Sequence, residues 1–222
     1  SDRRRRATHV FERFAALCPR LCLPLCPQLC FGWSGAEYDG AMRLLAVCAV
    51  RQLRPDAGSV GVTAIDKAPV AGPVRVGPYG VYADVQADRK HHGGLDKAVY
   101  VYSQEDAEYW EAQLGRSLPP GWFGENLRVS GIDVNAARIG ERWRIGEKVE
   151  LEVTMPRTPC QTFARWVGGD AERGWVKRFS QERRLGPYLR VVQRGRVQAG
   201  DEITVIHRPD GPGLLDAYVD PA

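Results

Sequence analysis

From Met42 onward, apolar positions cluster in short β-rich runs separated by turn residues, over 44–50, 60–65, 74–76, 99–102, 127–132, 142–145, 149–154, 188–192 and 203–207. The run Val149-Glu150-Leu151-Glu152-Val153-Thr154 alternates apolar and polar residues, the period of a strand with one buried face. Many short strands with glycine-rich punctuation predict a mainly β fold, a sandwich or a barrel. Two segments have the helical period instead. In 103–114, Ala107, Trp110 and Leu114 share a face, and in 172–183, Trp175, Val176 and Phe179 do. Each is expected to pack on the barrel. Ser103 reads as an N-cap with Asp106 three residues on, and Gly115 as a C-cap. Gly200-Asp201, between Val197 and Ile203, reads as a tight hairpin that adds a last strand. Nothing after Pro209 promises another domain, so 210–222 is expected to be a tail.

Residues 1–41 break this pattern. They open with Arg3-Arg4-Arg5-Arg6 and continue into a Cys-Pro-Leu repeat carrying Cys18, Cys22, Cys26 and Cys30. Thiolates are standard cluster ligands, but the usual ligand spacings are shorter, mixed and turn-forming. Arginines with few acids fit a targeting peptide, although the prolines interrupt both an apolar region and an amphipathic helix. The reading adopted is an extension without a fold of its own, upstream of a natural start at Met42. Pro19, Arg20, Pro24, Pro27 and Gln28 also break up the one stretch long enough to be considered as a membrane span.

Composition narrows the function classes. With 222 residues and 44% hydrophobic content, the chain can bury a sizeable core. The formal charge is +4, from 31 basic and 27 acidic residues. Beyond the first positions no basic block is interleaved with aromatics, which argues against nucleic acid as a partner. Six unevenly placed cysteines are not a secreted disulfide framework, and a cytoplasmic location is expected.

Candidate chemistry centres on Cys160. It follows the 149–154 strand in Pro156-Arg157-Thr158-Pro159-Cys160-Gln161, where two prolines fix φ and withdraw two backbone donors. Arg157 adds a permanent positive charge that favours a thiolate, the form that attacks electrophiles and binds soft metals. The alternative is a buried structural cysteine. Adjacent His91 and His92 invite a zinc reading, but neighbouring side chains on a strand point to opposite faces and no ligand set completes them.

Four motifs occur in order: Lys67-Ala68-Pro69-Val70; His91-His92-Gly93-Gly94-Leu95-Asp96-Lys97-Ala98-Val99; Trp122-Phe123-Gly124-Glu125-Asn126-Leu127; and Pro156-Arg157-Thr158-Pro159-Cys160. Together, over about 42–209, they resemble the MOSC family, the domain related to the C-terminal part of molybdenum cofactor sulfurases. They are most similar to its stand-alone bacterial branch of N-hydroxylated-compound reductases. The resemblance implies a β-barrel with a few peripheral helices and a molybdenum-ligating cysteine at Cys160. It also implies a molybdenum cofactor (molybdopterin) whose phosphate and pterin need cations and amide donors. Lys67, Arg75, Lys97 and Arg157 are candidates for that cradle, with Asn126 as a neutral two-sided contact. One of His91 and His92 is expected to line the pocket, and Gly93-Gly94 to let the backbone approach a ligand. Glu125 and Asn126 equally suit a structural turn. Family members often have Gly-Asp where this chain has Ala83-Asp84, and often Pro at Leu95. If the missing glycine supplied a positive φ, Ala83 would cost about 1 kcal/mol or more.

The implied activity is reduction of hydroxylaminopurines, amidoximes or hydroxamic acids to amines or amides, with His92 or Asp88 as proton source. No Gly-x-Gly-x-x-Gly fingerprint is present, so a separate electron-donating reductase is the expected partner. The competing reading is a carrier that holds the cofactor or a persulfide on Cys160. The family is also associated with pyridoxal phosphate, but no lysine here lies in a convincing Schiff-base setting.

Overall fold

The computed structural model describes residues 41–88, 93–168 and 173–220. Cys18, Cys22, Cys26 and Cys30, with all of the expected extension up to residue 40, and His91 and His92, lie outside the described residues. The chain runs β1 (Arg43–Val50), β2 (Arg54–Pro55), β3 (Val62–Thr63), β4 (Lys67–Pro69), β5 (Val74–Gly77), β6 (Gly80–Val81) and β7 (Val99–Ser103). It continues through α1 (Gln104–Leu114), β8 (Leu127–Ser130), β9 (Arg142–Ile145), β10 (Val149–Pro156), α2 (Gln161–Gly168) and α3 (Trp175–Glu182). It ends with β11 (Pro187–Gln193), β12 (Gly195–Val197) and β13 (Ile203–His207). No helix among the described residues is long and apolar enough to cross a membrane.

Eight strands form one sheet in the order β13-β9-β10-β11-β7-β8-β1-β4. The pairs are antiparallel except β7 with β8; a parallel pair cannot be joined by a hairpin, and α1 lies in the crossover. Register shifts in β1, β10 and β13 mark bulges, which bend the strands. The sheet rolls until its two sides meet: Ile203 N donates to Met42 O (2.8 Å) and Leu44 N to Asp201 O (2.9 Å). The expected barrel is thus a rolled sheet, joined at this point by a bridge between Arg43 and Glu202.

β7 is buried on both faces. Val99 and Val101 point into the roll with Leu127, Trp143, Leu151 and Leu189. Alternation turns Tyr100 and Tyr102 toward the helices, where Trp110, Phe123, Phe163, Trp175 and Phe179 form a second core. Phe179 stacks on Trp110 (centroids 5.4 Å apart) and meets the edge of Phe163 (5.1 Å). This cluster seats α2 and α3 against β7, and so fixes the start of α2.

α1 has the expected caps: the Ser103 side chain accepts from Asp106 N, and Gly115 takes φ +63°. α3 begins at Trp175; residue 172, its expected start, lies outside the described residues. α2 stands where no element was expected, burying Phe163 and Val167, four residues apart. Gly200-Asp201 does not make a hairpin, because β12 pairs with β5 and β13 with β9. The segment after Pro209 is also built in: Leu214 is fully buried, and Tyr218 hydrogen-bonds to Ser180 between hydroxyls (2.6 Å).

Candidate functional site

Cys160 occupies the junction of β10 and α2. Its carbonyl accepts from Ala164 N (3.0 Å), so it is the N-cap residue of α2. The amide donors of a helix's first turn have no intrahelical partners and favour negative charge. The half-buried thiol thus stands beside an electropositive backbone terminus.

A cavity of about 370 Å³ opens on this junction. It gathers six sequence-predicted residues from separate parts of the chain: Lys67, Asp88, Lys97, Asn126, Arg157 and Cys160. Val60, Val62, Ile65 and Phe123 add apolar wall.

Arg157 is 5% exposed. Its guanidinium carbon lies 3.9 Å from the ring centre of Phe163 and 5.0 Å from that of Tyr100, and Nη1 donates to Tyr100 Oη (3.4 Å). Among the described residues no carboxylate pairs with it. Burial pushes its pKa down, but Tyr100, Tyr188 and Cys160 outweigh that, so the group is held above its ordinary value and stays charged. A buried cation without an anion is costly. The cavity wall thus carries a buried positive charge.

The other motif residues are more self-contained. Lys67 forms an ion pair with Asp84, both side chains being about nine-tenths buried. Asp84 also accepts from Val50 N (2.9 Å) and Asn126 Nδ2 (2.7 Å). Asn126 Oδ1 accepts from Tyr100 N (3.1 Å). The Asn126 amide thus pins β1, β7 and the segment holding Asp84 together while lining the cavity. Glu125 is structural: fully buried, it accepts from Gly121 N (2.7 Å) and Arg128 Nε (2.9 Å). Gly121, at φ +93°, lies so close to Lys67 that an added Cβ would come within 2.6 Å of the Lys67 carbonyl oxygen.

Three features of the wall were not anticipated. Tyr100 and Tyr188 face Arg157, and burial raises the pKa of both phenols. The Tyr188 hydroxyl makes no hydrogen bond among the described residues. At the rim, Asp56 accepts both Arg165 Nε (2.9 Å) and Nη2 (2.8 Å), and also Thr162 Oγ1 (2.9 Å). This clasp ties the β2–β3 hairpin to α2, and the Arg165 hydrogen bond lowers the Asp56 carboxyl below its ordinary range. The Val-Tyr-Val-Tyr alternation of β7 was the available signal for Tyr100; the Asp56–Arg165 pair spans 109 residues and has none.

Some expected residues lie elsewhere. Arg75 is not brought to this cavity; it sits on the outer face of β5, over the Tyr82 ring (5.6 Å). Gly94 gives its N–H to Gln86 Oε1 (3.0 Å) and takes φ +96°, while a Cβ there would meet open space. A positive φ favours glycine at this position. Neither Gly93 nor Gly94 is among the residues lining the cavity. Cys48 is fully buried in β1, and burial raises its thiol pKa far above the ordinary range.

Comparison with known proteins identifies the family and the fold. A family model described as the MOSC domain matches residues 88–204. The protein YflK of Bacillus subtilis (strain 168) is 37% identical over 146 residues, 66% of this chain and 64% of its own length. A protein of Gibberella moniliformis named Reductase is 31% identical over 176 residues, 75% of this chain and 29% of that protein. The chain thus spans less than two thirds of either relative. The crystal structure of YiiM from Geobacillus stearothermophilus matches with a TM-score of 0.62 and 28% identity, covering 79% of this chain and 80% of that one.

Proposed function

The chain belongs to the MOSC domain family, and from that premise we propose that it is a molybdenum cofactor-dependent oxidoreductase that reduces N-hydroxylated compounds to their parent amines or amides. Amidoximes, hydroxylaminopurines and hydroxamic acids are the substrate class. The observation that carries this reading is Arg157, buried without a carboxylate and lining the same cavity as Cys160.

The residues fit the group. A soft thiolate suits molybdenum, so Cys160 would hold the metal. Arg157 would face the cofactor's anionic parts, with Lys97 on the same wall. Lys67 contributes less, because Asp84 already offsets its charge. The cavity volume lies within the range of about 300–1,000 Å³ usual for small-molecule sites. When bound, the cofactor supplies a two-electron centre able to take oxygen from an N–O bond.

The chain supplies surroundings and protons. Val60, Val62, Ile65 and Phe123 offer an apolar wall to the substrate's carbon skeleton. Breaking one N–O bond consumes two electrons and two protons and releases water. Tyr188, kept protonated by burial, can donate a hydrogen bond toward the departing oxygen, and Asp88 on the same wall can pass a proton inward.

The test is benzamidoxime reduction by the molybdenum-loaded protein with dithionite-reduced dye. Benzamidine should form in step with dye oxidation. A loaded protein that turns over no N-hydroxylated compound would refute the reading and favour a carrier of the cofactor.

A further inference from the structure

We propose that the outer face of the small β12-β5-β6 sheet, with the basic groove beside it, docks an acidic electron-donor protein; this rests on the reductase reading above. Arg196 and Arg75 are direct cross-strand partners. Val74, Val76 and Val197 are buried, so alternation turns both arginines outward. Lys148 and Arg194 extend the patch along a groove of about 680 Å³. Glu147 and Asp201 also line it, but the Asp201 carboxylate accepts from Gln198 N (2.9 Å). Among the described residues no carboxylate pairs with Arg75, Lys148, Arg194 or Arg196.

Like charges placed directly opposite on neighbouring strands destabilise a sheet. The isolated chain therefore carries a repulsion that an acidic surface would relieve. Tyr82, in the turn just after β6 with its ring under Arg75, is 73% exposed, and Tyr79 is 70% exposed. Tyrosine and arginine are the residues enriched in the energetic centres of protein interfaces. Exposed aromatics among only four cations and two acids fit a protein better than a nucleic acid.

The patch also adjoins the cavity. Tyr82 lies two residues before Asp84, which is in the cavity wall. Gln86, in that wall too, donates to Tyr79 O (3.2 Å) while accepting from Gly94 N. A donor seated here would rest against the polypeptide that walls the site. Two reduced donors, each giving one electron, with two protons from solvent, balance one N–O bond broken and one water released.

The test uses the full, molybdenum-loaded chain and reduced flavodoxin as the acidic one-electron donor, at about 50 mM salt where screening is weak. In Arg75→Glu/Arg196→Glu, the KM for flavodoxin should rise about tenfold or more, while dye-driven turnover and molybdenum content stay at wild-type levels. Lys148→Glu/Arg194→Glu, outside the paired arginines, should act in the same direction; melting curves exclude unfolding as the cause. An unchanged flavodoxin KM, a parallel fall in dye-driven turnover, or equally tight binding of duplex DNA would overturn the proposal. If wild-type protein shows no dye-driven turnover, the reductase reading fails, and direct flavodoxin titration decides the docking surface. Binding lost in the variants supports it; no wild-type binding ends it.

Discussion

Replacing Ala83 with glycine should stabilise this protein. Ala83 has φ +94°, a region that costs a residue with a Cβ about 1–2 kcal/mol and glycine almost nothing. Glycine also loosens the unfolded chain, which takes back about 0.4–1 kcal/mol. The Ala83 side chain is exposed, so no apolar burial is lost. The net gain is about 0.5–1 kcal/mol, which raises the melting temperature by about 1–4 °C for a domain of this size. Because Ala83 precedes the carboxylate that holds Lys67 and Asn126, relief should not disturb Asp84, and molybdenum retention should be equal or better. Urea and thermal unfolding of the two proteins, with m-values compared, measure the effect. A melting temperature that falls or does not move, at unchanged m, would refute the claim that this position is strained.

Arg157→Met should leave the cofactor-free protein within about 1 kcal/mol of wild type, because no acid is left unpaired, yet cut molybdenum retained after dialysis at least tenfold; a large loss of stability in urea would mean that the guanidinium is a framework group. The Asp56 clasp is worth about 1 kcal/mol or less, since Arg165 is 38% exposed. Arg165 lowers the Asp56 carboxyl, so the contribution is full above the ordinary value of about 3.9 and disappears as pH falls through the lowered one. The stability advantage of wild type over Asp56→Asn should therefore shrink on acidification, and an advantage that grows would contradict it. Iodoacetamide followed by peptide mapping should mark Cys160 and spare Cys48, whose thiol is fully buried with a raised pKa; alkylated Cys48 in native protein would count against the burial described.

The strands that carry the rolled sheet were legible because their period is two and each has an inward face: β10 buries Val149, Leu151 and Val153, and β9 buries Trp143 and Ile145. Local capping chemistry made α1 readable to within one residue. α2 was hidden because Phe163, Trp166 and Val167 are weak helix formers individually, and the helix is held by packing on Phe179 and Trp175, which no local window contains. β2 and β6, of two residues each, fall below any periodic signal, while the expected 60–65 run forms only the two-residue β3. In the site, the motif residues Lys67, Lys97, Asn126, Arg157 and Cys160 were found, but their division of labour was not. Lys67 is offset by Asp84 and Asn126 also ties the framework, because partners 17 and 42 residues apart are set by topology. Arg75 was drawn in by charge alone, and a side chain's face depends on strand pairings that charge does not reveal.

The most direct test of the account is the molybdenum content of protein produced with the cofactor available, wild type against Cys160→Ala, measured by metal analysis after extensive dialysis. The wild type should hold about one molybdenum per chain and the variant almost none, with melting curves alike, since thiolate ligation anchors the metal. Molybdenum retained equally by the variant, or absent from both, would contradict Cys160 as ligand and with it the function proposed for the cavity.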